Sequence, residues 1–299
     1  MGQDGVLRER VLAWYARHAR DLPWRRPDAG PWAVLVSEIM LQQTPVVRVL
    51  PAYAAWLDRW PTPAALAAEP VGEAVRAWGR LGYPRRAMRL HQAATAIAER
   101  HGGEVPSDVE SLRALPGIGD YTAAAVAAFA YQRRHPVLDT NVRRVLTRAV
   151  NGAALPGPSV RVAEREAARR LLPDDPKEAA RWSVAVMELG ALVCTARSPR
   201  CAECPIADRC AWRLAGFPTY DGPRRPTQTY DGTDRQCRGA LLAVLRDADG
   251  PARRADLEAA WDLAAQRERA LDSLVADGLV EPLADDRFAL PGSTPLGPA

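Results

Sequence analysis

Residues 115–141, LPGIGDYTAAAVAAFAYQRRHPVLDTN, constrain the fold of this chain more than any other stretch. Two glycines, Gly117 and Gly119, flank one apolar side chain directly before an alanine-rich run of helical character. Glycines at such a junction allow a tight turn whose bare N–H groups point outward. The stretch therefore predicts a hairpin of two helices with a turn that can hold a phosphate group.

The same stretch leads to Asp139, which follows an apolar pair and precedes a second helical pattern, NVRRVLTRAV. An Asp in this place caps a helix, because its carboxylate accepts hydrogen bonds from the free N–H groups of the first turn. In a second interpretation, a nucleic-acid backbone lies against the glycines and Asp139 faces a sugar. The hairpin residues alone leave both interpretations open.

Length and charge point to a polyanionic partner. The 299 residues allow two or three domains, and the net charge is +8 for residues 1–215 but −4 for residues 216–299. A basic body with an acidic C-terminal part favours nucleic acid as the partner of the body. The chain has no run of about 18 apolar residues and begins with a charged segment, so we expect a soluble protein of the bacterial cytoplasm, associated with the nucleoid.

Arginine outnumbers lysine 39 to one, and the one lysine is Lys177 in the segment LLPDDPKEAAR. A mechanism in which a lysine amine forms a Schiff base with a sugar therefore has a single candidate. That candidate lies in a segment that we expect to be exposed.

Glu38 lies in the helical pattern WAVLVSEIMLQQTPV among valine, leucine and isoleucine. A carboxyl group in apolar surroundings has a raised pKa and can stay protonated near neutral pH, as a general acid must. A solvated or paired glutamate fits the same pattern. Further on, the turn LGYPRR contains Leu81 and Tyr83, which can wedge into a base stack or pack in the core.

Arg20, Trp24 and Arg25 lie close together around a proline-rich loop, DLPWRRPDAGPW. An aromatic ring beside guanidinium groups can stack on a base and hydrogen-bond it, although a tryptophan folded over its own arginine neighbours has the same signature. Glu188, in the run EAARWSVAVMELGALVC, is a second carboxylate in apolar surroundings.

Four of the five cysteines form an array with the spacing C-x6-C-x2-C-x5-C: Cys194, Cys201, Cys204 and Cys210. Disulfides are not expected in a chain without a secretion signal, and four thiolates this close bind metal. Zinc is the usual ion for paired C-x2-C sites, but only one such pair is present. The uneven spacing is more typical of a loop around a [4Fe–4S] cluster. Arg197 and Arg200, between the first two cysteines, are candidates for phosphate contact.

Together these motifs resemble those of the helix-hairpin-helix base-excision glycosylases with an iron–sulfur cluster, and within that superfamily the MutY-type adenine DNA glycosylases. The matching motifs run in order over about residues 20–210: LPWR, SEIMLQQT, RLGY, LPGIG, LDTN, MELGALVC and the cysteine array. The resemblance implies a monofunctional glycosylase that removes adenine mispaired with 8-oxoguanine or guanine and has no or weak lyase activity. It also implies a [4Fe–4S] cofactor, a double-stranded DNA substrate containing a mismatch, a monomeric state and no membrane association.

The resemblance also assigns roles to single residues. Glu38 is the expected general acid, Asp139 the carboxylate that stabilises the sugar cation, and Asn141 a support of the active site. Tyr121 takes the position where bifunctional relatives carry their lysine. The residues expected to line the adenine pocket are Arg20, Trp24, Arg25 and Glu188. The residues expected to contact DNA are Gln43, Leu81, Tyr83, Gly117, Gly119, Arg197 and Arg200. The expected cluster ligands are Cys194, Cys201, Cys204 and Cys210.

The fold implied is an all-α, two-part helix-hairpin-helix glycosylase core with an iron–sulfur cluster loop, followed by a small winged-helix-like α+β domain. Residues 30–134 are expected to form the six-helix domain with the hairpin, and residues 1–29 with 135–215 the cluster domain. Residues 216–234 have the composition of a flexible linker, and residues 235–292 resemble a winged helix. Many family members carry a Nudix-like domain here that reads 8-oxoguanine, which this segment does not resemble.

The chain departs from the family pattern at Pro84, where many relatives have a second tyrosine, and at Thr140, where many have glycine. Tyr121 also occurs in relatives that remove mismatched thymine, so a thymine or uracil mismatch glycosylase on the same scaffold is the first alternative. The second is a non-enzymatic iron–sulfur DNA-binding regulator, although a binder needs neither Glu38 nor Asp139. For the winged-helix-like domain, DNA contact, partner binding and simple stabilisation all stay open.

Overall fold

Most of the chain folds into α-helices, as the periodicity of its apolar residues predicts. The computed structural model describes residues 3–222 and 230–293. Up to residue 222 the helices are α1 (Gln3–His18), α2 (Pro31–Met40), α3 (Val46–Arg59), α4 (Pro63–Ala67), α5 (Val71–Trp78), α6 (Arg85–Arg100), α7 (Val109–Arg113), α8 (Asp120–Phe129), α9 (Thr140–Ala149), α10 (Val162–Leu171), α11 (Pro176–Leu192) and α12 (Ala211–Leu214). Short 3-10 helices span Pro23–Arg25, Cys201–Glu203 and Ala207–Arg209. Within the two described ranges, no helix has the length and apolar character needed to cross a membrane.

The C-terminal part contains the remaining helices of the described chain and a small sheet. Its elements are α13 (Asp234–Asp247), β1 (Ala252–Arg253), α14 (Arg254–Ala259), α15 (Ala264–Ala276), β2 (Glu281–Leu283) and β3 (Arg287–Ala289). The strands pair antiparallel in the order β1-β3-β2, and Phe288 lies opposite both Ala252 and Pro282. Three helices followed by a hairpin are the arrangement of a winged helix, which confirms this part of the predicted fold class.

The chain divides into two compact units, each assembled from separate segments. As far as these residues are described, the first unit comprises Met1–Val34, Ser107–Arg113 and Gly119–Arg225, and the second comprises Leu35–Pro106, Ala114–Ile118 and Pro226–Ala299. The predicted limits of the glycosylase domains and of the winged-helix-like domain stay predictions. The predicted linker, 216–234, falls in part on residues 223–229, which lie outside the described residues.

The core of the first unit lies between α1, α9, α10 and α11. In α9, Val142, Val145, Leu146 and Ala149 recur at helical spacing and are buried on one face. The matching faces of α1 and α11 contribute the large side chains of Trp14 and Trp182. This packing holds the first turn of α9 and the last turns of α11 in fixed positions, and both carry predicted site residues.

The second unit has a core rich in tryptophan. The rings of Trp56 and Trp60 meet edge to face with centroids 4.7 Å apart, and those of Trp56 and Trp78 do so at 5.7 Å. Such aromatic pairs add to the stabilisation that the burial of their surface supplies. The cluster joins α3 to the end of α5, directly before the turn that contains Leu81 and Tyr83.

Candidate active site and cluster loop

Asp139 caps α9, as the sequence predicts. Its Oδ1 accepts a hydrogen bond from the backbone N–H of Val142 at 2.6 Å, and its Oδ2 accepts one from Nδ2 of Asn141 at 2.8 Å. Asp139 as a whole residue is half-buried in the first unit. The two bonds cap the helix and orient the carboxyl group, and its catalytic role stays a prediction.

The surroundings of Asp139 have opposing effects on its acidity. Burial raises the pKa of the carboxyl group, and the hydrogen bonds from Val142 and Asn141 together with the charge of Arg144 oppose this only in part. The net result is a pKa above the ordinary value for an Asp. Once ionised, the carboxylate already has its donors in place and can stabilise a nearby cation without rearrangement.

A hydrogen-bonded chain runs from Asp139 to the cysteine loop. Asn141 donates to Asp139 and, through Oδ1, accepts from Nη2 of Arg144 at 2.8 Å. Arg144 also donates to the carbonyl oxygens of Gly190 and Cys194, both at 2.7 Å. No sequence motif indicated Arg144 as a candidate site residue. Its place between Val142 and Val145 on the buried side of α9 is a signal that could have identified it.

Gly190 makes the close approach of α9 and α11 possible. A Cβ at this position would lie 2.7 Å from Cβ of Asn141 and 2.9 Å from its carbonyl oxygen. A larger residue would push Asn141 away and loosen its bond to Asp139. The glycine of the motif MELGALVC therefore has a definite spatial role beside the predicted catalytic carboxylate.

The four cysteines of the array line one open cavity. The cavity wall also includes Arg148 and Trp212. Nη1 of Arg148 donates to Sγ of Cys194 at 3.3 Å and to the carbonyl oxygen of Thr195 at 2.7 Å. Its guanidinium lies over the ring of Trp212, with Cζ 4.5 Å from the centroid. The array is thus tied to α9 by a second buried arginine, four residues after Arg144.

The chemistry of these thiols fits a cationic metal group. Burial, together with the neighbouring Cys194, Cys210 and Cys201, raises the pKa of Cys204 to about 12. Burial likewise raises the pKa of Cys201. Four thiols this close resist ionising together unless a cationic centre neutralises them, which iron bound by four thiolates does.

Glu188 is fully buried and pairs with two arginines of the predicted base pocket. Arg20 donates through Nε at 2.8 Å and through Nη2 at 2.7 Å, and Nη2 of Arg25 donates at 2.9 Å. Burial alone would raise the pKa of Glu188, but these bonds outweigh it and hold the pKa at about 2. Three of the four residues predicted for this pocket therefore meet as a fixed ion triad.

Trp24 and Tyr121 both belong to the first unit. Trp24 is buried in the 3-10 helix that also carries Arg25. Tyr121, in the first turn of α8, packs against the cluster formed by Ala125, Ala128 and Val137. Because Val137 is two residues before Asp139, this contact places Tyr121 beside the segment that leads to the predicted catalytic carboxylate.

Glu38 and Gln43 belong to the second unit. Glu38 is buried near the end of α2, with 5% of its surface exposed, as its apolar neighbours predict. Gln43 is exposed and has a φ of 56°. Few residues other than glycine adopt this left-handed conformation, which the surrounding structure has to hold in place.

Arg86, in the first turn of α6, is a second candidate that no sequence motif indicated. Its buried guanidinium donates to acceptors in two separate segments: the carbonyl oxygens of Ile39, Met40 and Gln42, the hydroxyl of Thr44, and the carbonyl oxygens of Leu81 and Gly82. Burial lowers its pKa to about 10, so the group remains charged at neutral pH. One side chain therefore connects the segment after Glu38 to the turn that holds Tyr83.

Residues 79–84, called the 79–84 turn below, connect α5 to α6. Leu81 is buried, with 5% of its surface exposed, whereas half of the surface of Tyr83 is exposed. Tyr83 has a φ of 49°. The role of both residues as DNA wedges stays a prediction, and in this conformation Tyr83 is the side chain available for such a contact.

The glycines of the LPGIG motif have different local roles. Gly117 has a φ of 75°, and a Cβ there would lie 2.6 Å from Cβ of Arg89 in α6. Gly119 caps α8, and a Cβ there would meet open space. Gly117 is therefore needed for the fold of the turn, while open space in front of Gly119 leaves the N-terminal donors of α8 accessible to a phosphate.

The two arginines predicted to contact DNA from the cluster loop are both exposed. Arg200 donates to the carbonyl oxygen of Leu192 and pairs with Glu203 at 3.1 Å. These contacts occupy its guanidinium within the loop itself. Of the two, Arg197 is the better candidate for a phosphate contact, and both assignments stay predictions.

Comparisons with known proteins agree with this geometry. Residues 36–170 match the family model of HhH-GPD superfamily base excision DNA repair proteins. Residues 194–210 match the model of the iron-sulfur binding domain of endonuclease III, which confirms the loop and its [4Fe–4S] cofactor.

Two curated relatives match nearly the whole chain. An adenine DNA glycosylase of Mycobacterium tuberculosis is 57% identical over 94% of this chain and 92% of its own length, and one of Mycolicibacterium smegmatis is 58% identical over 96% and 97%. Among solved structures, that of a thermostable thymine-DNA glycosylase has a TM-score of 0.65 at 26% identity and covers 71% of this chain and 97% of its own. The chain therefore belongs to the MutY-type adenine DNA glycosylases of the helix-hairpin-helix base-excision superfamily.

Proposed function

We propose that the protein excises adenine mispaired with 8-oxoguanine or guanine from double-stranded DNA, as a monomer of the bacterial cytoplasm. The observation that carries this proposal is the identity of 57–58% to two adenine DNA glycosylases over nearly the full chain. The oriented carboxyl group of Asp139 and the buried Glu38 supply the two acidic groups that hydrolysis of a glycosidic bond requires.

In the proposed reaction, the adenine nucleotide leaves the base stack because its glycosidic bond is otherwise out of reach. Glu38 donates its proton to N7 of adenine, so that the electron pair of the C1′–N9 bond leaves with a neutral base. Asp139 stabilises the resulting cationic sugar, and water then adds to C1′ and loses a proton. The products are free adenine and an abasic site.

The ion triad of Arg20, Arg25 and Glu188 is proposed to shape the adenine pocket. Because its carboxylate stays ionised, Glu188 fixes both guanidinium groups and leaves their remaining N–H donors to face a base. The [4Fe–4S] cluster, held by the four cysteines of the loop, would cross-link that loop and keep Arg197 near the DNA backbone.

Hydrolysis without strand cleavage follows from the lysine content. Tyr121 stands where bifunctional relatives have lysine, and the one lysine of the chain, Lys177, is exposed in the first turn of α11. A Schiff base with the sugar has no suitably placed amine. Treatment of the reaction mixture with borohydride should therefore trap no covalent protein–DNA adduct, and a trapped adduct would contradict this part of the proposal.

A panel of duplexes containing A:8-oxoG, A:G, T:G and U:G tests the choice of base. We expect excision from the first two duplexes and none from the others. Thymine is the second candidate base. A thymine-DNA glycosylase shares the fold at a TM-score of 0.65, and the resemblance places a tyrosine at the position of Tyr121 in such enzymes. Faster excision from T:G than from A:8-oxoG would establish that alternative.

A further inference from the structure

Residues 234–293, the winged-helix-like segment, have no part in the proposed reaction, yet they are closely joined to α5 in the second unit. Nη1 of Arg76 donates to the carbonyl oxygens of Leu245 at 3.3 Å, Arg246, and Ala248 at 2.9 Å. In return, Nε of Arg246 donates to the carbonyl oxygen of Val75 at 3.1 Å. The last turn of a helix leaves carbonyl groups without partners in that helix, and Arg76 satisfies those of α13.

A second contact joins the end of the segment to the first turn of α5. The backbone N–H of Gly72 donates to the carbonyl oxygen of Pro291 at 2.7 Å. A Cβ at position 72 would lie 2.6 Å from that oxygen and 3.0 Å from Cβ of Leu290. Backbone atoms cannot move aside as the tip of a flexible side chain can, so the contact requires glycine. α5 is therefore held both at its first turn and at Arg76.

The same segment holds the first turn of α6. Nη1 of Arg85 pairs with Oδ1 of Asp277 at 3.2 Å, and Nη2 of Arg238 in α13 binds the other oxygen of Asp277 at 2.6 Å. Next to this pair, a Cβ at Gly278 would lie 3.3 Å from the methyl carbon of Met88. The end of α15 therefore packs on the start of α6.

These contacts lie on both sides of the 79–84 turn. The turn contains three residues with positive φ, namely 53° at Gly79, 81° at Gly82 and 49° at Tyr83. A tyrosine in this conformation is strained and keeps it only where the structure around it leaves no alternative. The helices before and after the turn are both attached to residues 234–293, so this segment helps to fix the distance that the turn has to span.

The surface that such a fold would present to DNA is acidic. Residues 234–293 hold 12 acidic and 8 basic residues. The helix corresponding to a recognition helix, α15, exposes Asp272 and Arg269, and the hairpin between β2 and β3 exposes Asp285 and Asp286. Many arginines of the segment already pair with its own carboxylates: Arg238, Arg254, Arg267, Arg269 and Arg287. Phosphate binding requires available cations, so the charge of this surface opposes contact with DNA.

We propose that residues 234–293 form a positioning domain for the 79–84 turn and do not bind DNA. By fixing α5 and α6, the domain keeps the turn in the strained form that exposes Tyr83, and Gly72, Arg76 and Arg85 are the positioning residues of the catalytic part. This proposal rests on the proposed function, because the turn matters only if it takes part in the extrusion of a base.

Arg76→Ala in the full-length, cluster-containing protein tests the proposal by single-turnover excision. We expect about a tenfold loss with adenine opposite 8-oxoguanine, and less than about a threefold loss with adenine opposite an abasic-site analogue, where an unpaired base is easier to extrude. Arg100→Ala, at an exposed arginine in the last turn of α6, is the control and should leave both rates unchanged. Equal losses on both substrates, or no loss on either, would overturn the proposal.

Extrusion can also be measured without excision. In a Glu38→Gln background, 2-aminopurine in place of adenine should brighten when it leaves the stack, and Arg76→Ala should reduce that signal. A reduced signal supports the positioning role even if the wild-type protein excises no adenine, whereas an unchanged signal contradicts it. Asp277→Asn is the milder variant if Arg76→Ala lowers the cluster absorbance or the helix content.

Asp272→Lys tests the second half of the proposal. A charge reversal on α15 should leave the Kd for duplex DNA unchanged at low and at moderate salt, because the helix does not lie against DNA. A tighter Kd that weakens steeply with salt would place α15 at the phosphates and overturn the proposal.

Discussion

Asp139 and Glu188 differ in acidity although burial raises the pKa of each. Asp139 has mainly neutral hydrogen-bond donors, a backbone N–H and a side-chain amide, and its pKa stays above the ordinary value. Glu188 has two guanidinium groups as donors, and its pKa falls to about 2. The charge of the neighbours, and not the depth of the site, therefore decides which carboxyl group can change its protonation state and which is a permanent anion.

The largest expected effect separates charge from structure at Asp139. Asparagine caps a helix about as well as aspartate, so Asp139→Asn should keep the bond from Val142 and fold, but it loses the negative charge and the bond from Asn141. We expect single-turnover excision to fall by about a thousandfold or more. Asp175→Asn, the same exchange at the cap of α11, is the control and should retain full activity. Activity near the wild-type level in Asp139→Asn would remove this carboxylate from the mechanism.

Glu188→Gln removes the negative charge from the second carboxyl group of the comparison. The exchange leaves Arg20 and Arg25 beside a neutral amide, and we expect the free energy of unfolding to fall by about 3 kcal/mol. The urea midpoint of the cluster-containing protein measures this change. Asp21→Asn removes the exposed partner of Arg26 and should cause no measurable shift. Equal midpoints for both variants would mean that the buried triad adds no more stability than a surface pair.

Arg144→Gln sharpens the comparison by removing the positive charge beside Asp139, together with the bonds of Arg144 to the carbonyl oxygens of Gly190 and Cys194. The positive charge of Arg144 lowers the pKa of Asp139, so its loss should move the acid limb of the excision profile to higher pH. We also expect a loss of activity of about tenfold to a hundredfold, the range typical of residues that orient a reacting group. Arg165→Gln, at an exposed arginine that pairs with Asp120, should change neither the profile nor the rate.

The smallest expected effect is a dependence of stability on pH that has opposite signs for Glu188 and Asp139. The folded-state pKa of Glu188 is depressed, so its contribution is present above about pH 4.5 and is lost as the pH falls toward about 2. The folded-state pKa of Asp139 is raised, so its ionisation reduces stability as the pH rises through that value. Unfolding midpoints against pH, compared among wild type, Glu188→Gln and Asp139→Asn, should reveal two slopes of opposite sign. Slopes of the same sign would contradict one of the two assignments.

Local patterns were sufficient for much of the fold and of the site. The helical pattern that begins at Trp32 corresponds to α2, and the pattern NVRRVLTRAV corresponds to α9. The capping role of Asp139 followed from its place before NVRRVLTRAV, and the metal loop followed from the spacing of its cysteines. Each of these features depends on residues near one another in the chain, which is why sequence alone could reveal them.

The features that sequence did not reveal depend on distant partners. Arg86 binds carbonyl groups 44 to 47 residues before it, and Arg144 binds one 50 residues after it. Backbone carbonyls are present at every position, so no pattern identifies which ones a buried arginine will meet. The attachment of Arg76 to α13 is of the same kind, across a separation of 169 to 172 residues.

The discontinuous first unit has a consequence for biosynthesis. Arg20 and its partner Glu188 are 168 residues apart, and α1 packs against α11. During translation, the N-terminal helix must therefore wait, with an apolar face uncovered, until the ribosome has made most of the chain. Helices α3 to α6 can already pack on one another, and α5 and α6 gain their contacts with residues 234–293 at the end. Nascent-chain proteolysis should consequently show α1 as the last helix of the catalytic part to become protected.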